Sequence, residues 1–342
     1  MIYKNVELHN VADIQHVPQS EGVRLQRAPE NVRCTLNEAA QMRLLQPDTV
    51  EIRFLAEGPT CRVTLSSEGQ TRVTVFCGLF DNRQRFIIGS VPQTIEITLP
   101  DRLQQLDRAY WREMAFSPRV CRLILGGPQR DPILFHGVSG ENVRPPDPQD
   151  LPKLRYLAYG TSITHGWEAE GPHLIYVSQT ARHLGADLIN LGVGGAAHCE
   201  HELADYIAAR DDWHIATLEL SVNMHKFPLE TFYERVSYMV NRVAGADPKR
   251  VVACITLYPY CRDFGVEVPG QVFGGRPDEY RQALRDAVKA SPHRNAYLLE
   301  GPEILTDISG LTADLVHPGD NGMIAMGRNL AEKLKPLLQQ AN

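Results

Sequence analysis

The chain lacks a surplus of positive charge. Lys plus Arg is 35 against 41 Asp plus Glu, a formal net charge of −6 over 342 residues. Nothing in that balance draws the protein to a polyanion, so nucleic acid is not an expected partner. It also lacks any run near the ~20 apolar residues that span a bilayer, so no membrane partner is expected. The opening MIYKNVELHN holds no apolar signal core, and a cytoplasmic location is the expectation. Seven cysteines are scattered without a CxxC pair, which argues against a zinc knuckle or a dithiol redox site; reduced, buried thiols are expected, with no metal and no cofactor. No internal repeat or low-complexity tract interrupts the chain. What remains is ordinary globular composition, 43% hydrophobic and 22% charged, long enough for about two domains.

The two halves follow different periods. VEIRFLAE (50–57) alternates apolar and polar residues, and CRVTLSSEGQTRVTVFCGLF (61–80) reads as a hairpin of two such runs around Ser-Ser-Glu-Gly. Segments 94–100, 119–127 and 132–140 continue the alternation, while 102–114 is polar and reads as a loop or short helix. Period two buries one face of each strand, so residues 1–141 are expected to form an all-β sandwich, jelly-roll-like, of two packed sheets. Residues 142–152 hold four prolines and read as a linker. From 153 to 342 short apolar strands alternate with amphipathic helices, expected over 172–185, 200–209, 228–245, 277–290 and 320–338. That alternation means a parallel sheet covered on both faces, with functional loops at the strand carboxyl ends.

Those loops carry the chemistry. They read Gly160-Thr-Ser-Ile, Asn190-Leu-Gly-Val-Gly-Gly, Ser221-Val-Asn and Asp314-Leu-Val-His-Pro. Together they supply a hydroxyl, a glycine backbone, a side-chain amide and an Asp-His pair, the inventory for acyl transfer through serine. A serine hydroxyl needs a base, an imidazole suits that task, and a carboxylate fixes its tautomer. Asp314 and His317 are three residues apart, so one turn brings carboxylate to ring. The backbone N–H groups of Ser162 and Gly195 and the Asn223 amide are expected donors to an oxyanion; a glycine N–H approaches closely because no Cβ intervenes. Taken alone, Ser162 would serve equally well as a helix cap.

The four motifs, in this order and each after a strand, resemble the SGNH (GDSL-like) hydrolase superfamily over residues 154–338. The resemblance implies a flavodoxin-like three-layer fold and an ester hydrolase or acyl-transfer activity without a metal. It places the nucleophile on Ser162, the base on His317, the carboxylate on Asp314 and oxyanion donors on Gly195 and Asn223. Gly195 is preferred to Gly194 and Gly192 on its spacing from Asn190. The family's Gly-Asp-Ser-Leu is Gly-Thr-Ser-Ile here, and its Gly-x-Asn-Asp is Ser-Val-Asn-Met. Some bacterial members carry an N-terminal β-sandwich, as expected here.

The substrate expected is a small ester, an acetylated carbohydrate first, with transfer to an alcohol as the alternative and a catalytically dead carbohydrate-binding protein as a second. His165, Arg262, Phe264 and Phe273 are candidate substrate contacts, the last three on the long glycine-rich segment 259–277. His198 and His201 lack an evident third ligand and are not read as a metal site. Tyr110 and Trp111 are read as packing aromatics rather than a sugar platform. Oligomeric state is left open.

Overall fold

A computed structural model of the chain describes residues 1–18, 20–268 and 270–341. The first part forms two antiparallel sheets. The six-stranded sheet has the order Ile2–Tyr3, Val6–His9, Glu51–Phe54, Cys121–Arg130, Thr71–Cys77, Phe80–Ile88. The five-stranded sheet has the order Asp13–His16, Val23–Gln26, Ile133–Gly140, Thr60–Ser67, Gln93–Thr98. Their apolar faces meet in one core that includes Leu8, Ile52, Val63, Val73, Ile95, Leu123 and Phe135.

The expected hairpin over 61–80 is not one. Thr60–Ser67 and Thr71–Cys77 lie in different sheets. The Glu68–Gln70 connection arches over the sandwich edge, where Asp131 accepts the Gln70 N–H at 2.7 Å. An arch turns the apolar faces of its two strands toward each other, so Val63 and Leu65 face the same core as Val73 and Val75. The partner of Thr71–Cys77 across a tight turn is Phe80–Ile88.

Residues 142–152 are anchored along their length. Leu55 and Arg144 exchange backbone hydrogen bonds at 2.8 and 3.0 Å, and Asp150 O accepts the Ser117 N–H at 2.9 Å.

The second part is a five-stranded parallel sheet of β1 (Leu154–Tyr159), β2 (Ala186–Asn190), β3 (Ile215–Glu219), β4 (Val251–Ile255) and β5 (Ala296–Leu299), in the order β2-β1-β3-β4-β5. Helices α1 (Tyr176–Leu184), α2 (His201–Ala209), α3 (Leu229–Ala244), α4 (Pro277–Ala290) and α5 (Asp320–Ala341) cover it. Alternation within β1 sets the two faces. Leu157 and Tyr159 join the core shared with α2, α3 and α4, whereas Tyr156 and Ala158 join that shared with α1 and α5. In α3 the buried Phe232, Val236, Met239, Val240 and Val243 fall on one stripe, which is why this segment is helical and packed. Helix α1 begins four residues later than the period suggests, because Pro172–Ile175 form a turn whose Pro172 carbonyl accepts the Ser178 hydroxyl at 2.7 Å.

The strand order reverses at β1, with β2 on one side and β3 on the other. Such a reversal opens a crevice at the strand carboxyl ends.

Candidate active site

The crevice is built from the loops that follow β1, β2, β3 and β5. After β1, Gly160 passes so close to Glu219 that a Cβ would lie 2.6 Å from the Glu219 Oε2; only glycine fits there. Thr161 then caps a single helical turn, Ser162–His165, that ends at Gly166 with φ +106°. The cap is Thr161, not Ser162, which leaves the Ser162 hydroxyl available. Glu219, the last residue of β3, accepts the Thr161 N–H and its hydroxyl, both at 2.6 Å. Among the described residues it has no basic partner: burial pushes its carboxyl up to about 7 against the pull of the Thr161 and Thr164 hydrogen bonds.

Ser162, His317 and Asp314 are brought into one hydrogen-bonded chain. Ser162 Oγ lies 2.8 Å from His317 Nε2, and His317 Nδ1 lies 2.6 Å from Asp314 Oδ2. The other carboxylate oxygen of Asp314 accepts from the Thr312 hydroxyl at 2.8 Å and the backbone N–H groups of Val316 and His317 at 2.8 and 2.9 Å. Burial opposes the Asp314 charge, but the His317 hydrogen bond and these donors outweigh it and hold the carboxyl down at about 2. Asp314 is therefore ionised throughout the working range.

The expected oxyanion donors line the same cavity of about 590 Å³ as Ser162 and His317. Asn223 Oδ1 accepts the Ala197 N–H at 3.1 Å, which fixes the amide so that its NH2 is left for another acceptor. Gly195 has φ +72° with open space where a Cβ would be. Gly194 instead backs onto Trp167 and His165, and Gly192 onto the backbone of His165, so these two serve close packing. Asn190 ties the first two loops together, donating to Thr164 O at 3.0 Å and accepting the Gly192 N–H at 2.8 Å.

Other expectations are corrected by geometry. His165 has no exposed surface. Its Nδ1 accepts the Gly194 N–H at 3.2 Å and its Nε2 lies 2.9 Å from Asp48, so it supports the glycine loop from behind and does not face substrate. Burial lowers it to about 4, partly opposed by Asp48 and aided by Arg27. From the long segment, the cavity is walled by Tyr260, Cys261, Val268, Gln271 and Val272. Arg262 instead lies 3.8 Å over the Phe273 ring and donates to Gly275 O at 3.0 Å, while Phe264 is outside the cavity lining. Phe273 thus braces the segment through Arg262, while Tyr260, Cys261 and the two valines face the opening. His198 packs on Phe227 and His201 stacks on Tyr238, so the two rings are not convergent. Tyr110 is 75% exposed, and Trp111 is braced by Arg108 and Arg119.

Two lining residues carry no sequence signal. Trp167 stacks beside His317 with ring centroids 6.3 Å apart. Arg43, from the short helix Glu38–Arg43 of the first part, lies 5.0 Å over the Trp167 ring and donates from Nε to Gly194 O at 3.1 Å. The first part also holds the loop after β2. The Arg27 guanidinium is fully buried and donates to Asn190 O and Gly192 O at 3.0 Å each. Arg53 grips Asp187 of β2 in a two-point pair at 3.0 and 2.6 Å.

A model of the GDSL-like Lipase/Acylhydrolase family matches residues 154–338. The chain belongs to that family. Its two-part architecture recurs in solved structures. The salicylyl-acyltransferase SsfX3 from a tetracycline biosynthetic pathway matches with a TM-score of 0.74 at 15% identity, covering 97% of this chain and 96% of that one. A putative GDSL-like lipase from Bacteroides ovatus matches at TM-score 0.65 and 15% identity over 96% and 98% of the two chains. A family two carbohydrate esterase from Clostridium thermocellum matches at TM-score 0.58 and 17% identity over 85% and 92%. At these identities the likeness is one of fold. The comparison with curated proteins returns no match. Among the described residues, no helix is long and apolar enough to cross a membrane.

Proposed function

We propose that this GDSL-like acylhydrolase is a serine ester hydrolase. The observation that carries the reading is the Ser162–His317–Asp314 chain of hydrogen bonds, at 2.8 and 2.6 Å, opening into a cavity. Ser162 Oγ attacks the ester carbonyl carbon while its proton passes to His317 Nε2. The carbonyl electrons move to the oxygen, which accepts hydrogen bonds from the N–H groups of Ser162 and Gly195 and the Asn223 amide; one such donor lowers a barrier by on the order of 3 kcal/mol. The tetrahedral intermediate collapses, the C–O bond to the alcohol breaks, and His317 returns the proton to the departing oxygen. Water then gives a proton to His317 and attacks the acyl-enzyme, releasing acid and regenerating Ser162. Asp314 holds Nδ1 protonated and offsets the imidazolium charge in both halves.

The acyl group we favour is acetyl and the alcohol a carbohydrate, as in the acetyl xylan esterase and carbohydrate esterases that share the fold. Transfer to an alcohol needs the same residues, and the acyltransferase of this fold makes it the second reading.

The test is turnover of 4-nitrophenyl acetate by wild type and Ser162→Ala. Loss of about 1,000-fold or more with an unchanged melting temperature is expected. Turnover by the variant within tenfold of wild type overturns the reading. Adding an alcohol acceptor and measuring free acid against new ester separates hydrolysis from transfer.

A further inference from the structure

The charges that line the catalytic cavity are of one sign. Arg43 and Lys226 face it, and among the described residues no Asp or Glu lines it; Asp314 lies behind the His317 ring. This is unusual in a chain with six more acids than bases. Neither cation forms a salt bridge among the described residues. The acid that acts on Arg43, Asp48, is already held by Arg130 at 3.2 Å and His165 at 2.9 Å. Arg43 is a half-buried cation whose protein acceptors are two neutral oxygens, Gly194 O at 3.1 Å and Gln46 Oε1 at 3.4 Å. The Lys226 ammonium lies 5.9 Å from the Phe227 ring centroid.

Leaving an arginine half-desolvated without a counter-charge is unfavourable for the free protein. The surrounding groups report the same local field. His225, which lines the cavity, and His198 behind it are both lowered to about 4, by burial first and then by cations that include Lys226. The Trp167 Nε1–H, beside Arg43, is buried without an acceptor.

The two cations are also placed with respect to the reacting carbonyl. Arg43 is tied to the carbonyl of Gly194, the other end of the peptide group that carries the Gly195 N–H. Lys226 follows Asn223 by three residues, two beyond the short turn Val222–Met224. The two cations therefore reach the cavity beside residues that carry oxyanion donors, Arg43 from a helix of the first part and Lys226 from the loop after β3.

Resting on the serine-hydrolase reading, the geometry points to an ester that carries an anionic group, a carboxylate or phosphate on its acyl or alcohol part, with Arg43 and Lys226 as the specificity residues that receive it. A guanidinium suits such a group because its N–H fork matches two anionic oxygens, and the ammonium adds a point charge on the open side. The neutral part of the ester rests against Val268, Val272 and Val316.

The experiment compares matched esters that differ in charge. Mono-4-nitrophenyl succinate against 4-nitrophenyl pentanoate tests an anionic acyl group. 4-Acetoxybenzoate against its methyl ester tests an anionic alcohol. In wild type, kcat/KM for the charged member of at least one pair is expected to exceed that of its neutral partner about tenfold. That ratio should fall at least about fivefold in Arg43→Met and in Lys226→Met, and it should decline as NaCl rises, because partly exposed charges are screened. The ratio, not the absolute rate, is the readout, so a general loss of activity from the looser Gly194 loop in Arg43→Met does not mimic the result. Ratios at or below one in both pairs, or ratios unchanged by both substitutions, overturn the inference while neutral-ester turnover leaves the hydrolase reading standing. Absence of any turnover that depends on Ser162 overturns both.

Discussion

At neutral pH the Glu219 carboxyl sits near its own titration point, directly beneath the turn that carries Ser162. The sign of its effect follows. The folded chain keeps this proton to about 7, whereas an unfolded chain releases it in the usual carboxylate range, so ionisation of Glu219 costs stability as pH rises between those values. Glutamine retains an oxygen for the Thr161 donors and never ionises. Relative to wild type, Glu219→Gln is therefore expected to gain on the order of 3 kcal/mol between pH 4.5 and 8, read by urea denaturation at the two pH values. An equal difference at both would remove the buried-charge argument. Ser162, Asp314 and His317 were legible in the sequence because their loops follow strands in a fixed order and three residues suffice to join carboxylate to ring. Glu219 was not: it is one acid in a short apolar strand, and only the packed sheet shows that its side chain turns under Thr161. His165 misled for a related reason. A histidine three residues after Ser162 is on the same turn, but sequence does not say that the turn's far side faces Asp48.

Among the elements, the glycine loop after β2 makes two distinct demands on the same residue type. Gly192 is a close approach: a Cβ there would meet the His165 backbone nitrogen at 2.4 Å. Gly195 is a matter of backbone sign, with φ +72° and no neighbour within 4 Å. Gly192→Ala is accordingly expected to destabilise by on the order of 3 kcal/mol or more, since backbone must move. Gly195→Ala should cost about 1 kcal/mol in stability, while activity drops because relief of the strained φ turns its N–H away. Denaturation midpoints paired with esterase rates distinguish the two, and equal destabilisation would contradict the contrast. Element periods were readable where apolar side chains mark the buried face, as in α3. They were not readable in Phe80–Ile88, whose half-buried positions include Asn82 and Gln84 in place of hydrophobes, nor in Ile2–Tyr3 and Val6–His9, which are too short to show a period. The arch at Glu68–Gln70 shares its polar, glycine-containing composition with a hairpin turn, and only sheet membership separates them.

At the scale of the whole molecule, the two parts share buried charge. Asp187 on β2 is 1% exposed and is held below its ordinary range, burial opposing and Arg53 prevailing. Arg53 also receives Glu51 at 2.8 Å, and Glu51 in turn takes both arms of Arg122 at 2.7 and 2.6 Å. Removing one member of such a set strands its partner. Arg53→Met is expected to lower stability by about 3–5 kcal/mol, and adding Asp187→Leu should recover part of that loss; urea denaturation of the single and double variants checks it. A double variant no more stable than the single would show that Asp187 is not the stranded charge. None of this was legible in sequence. Arg53 and Asp187 are 134 residues apart, and Arg27 reaches Asn190 across 163, distances over which local pattern carries no information.

The Arg27 guanidinium has a consequence for tinkering with this scaffold. Besides Asn190 and Gly192 it caps the carbonyls of Gln46 and Arg43, so a single side chain fastens a loop of each part to the other. Chimaeras that trade front halves between relatives would have to import a donor reaching the same four oxygens. A swap that omits it leaves the glycine loop unmoored, even when every residue that lines the cavity has been kept.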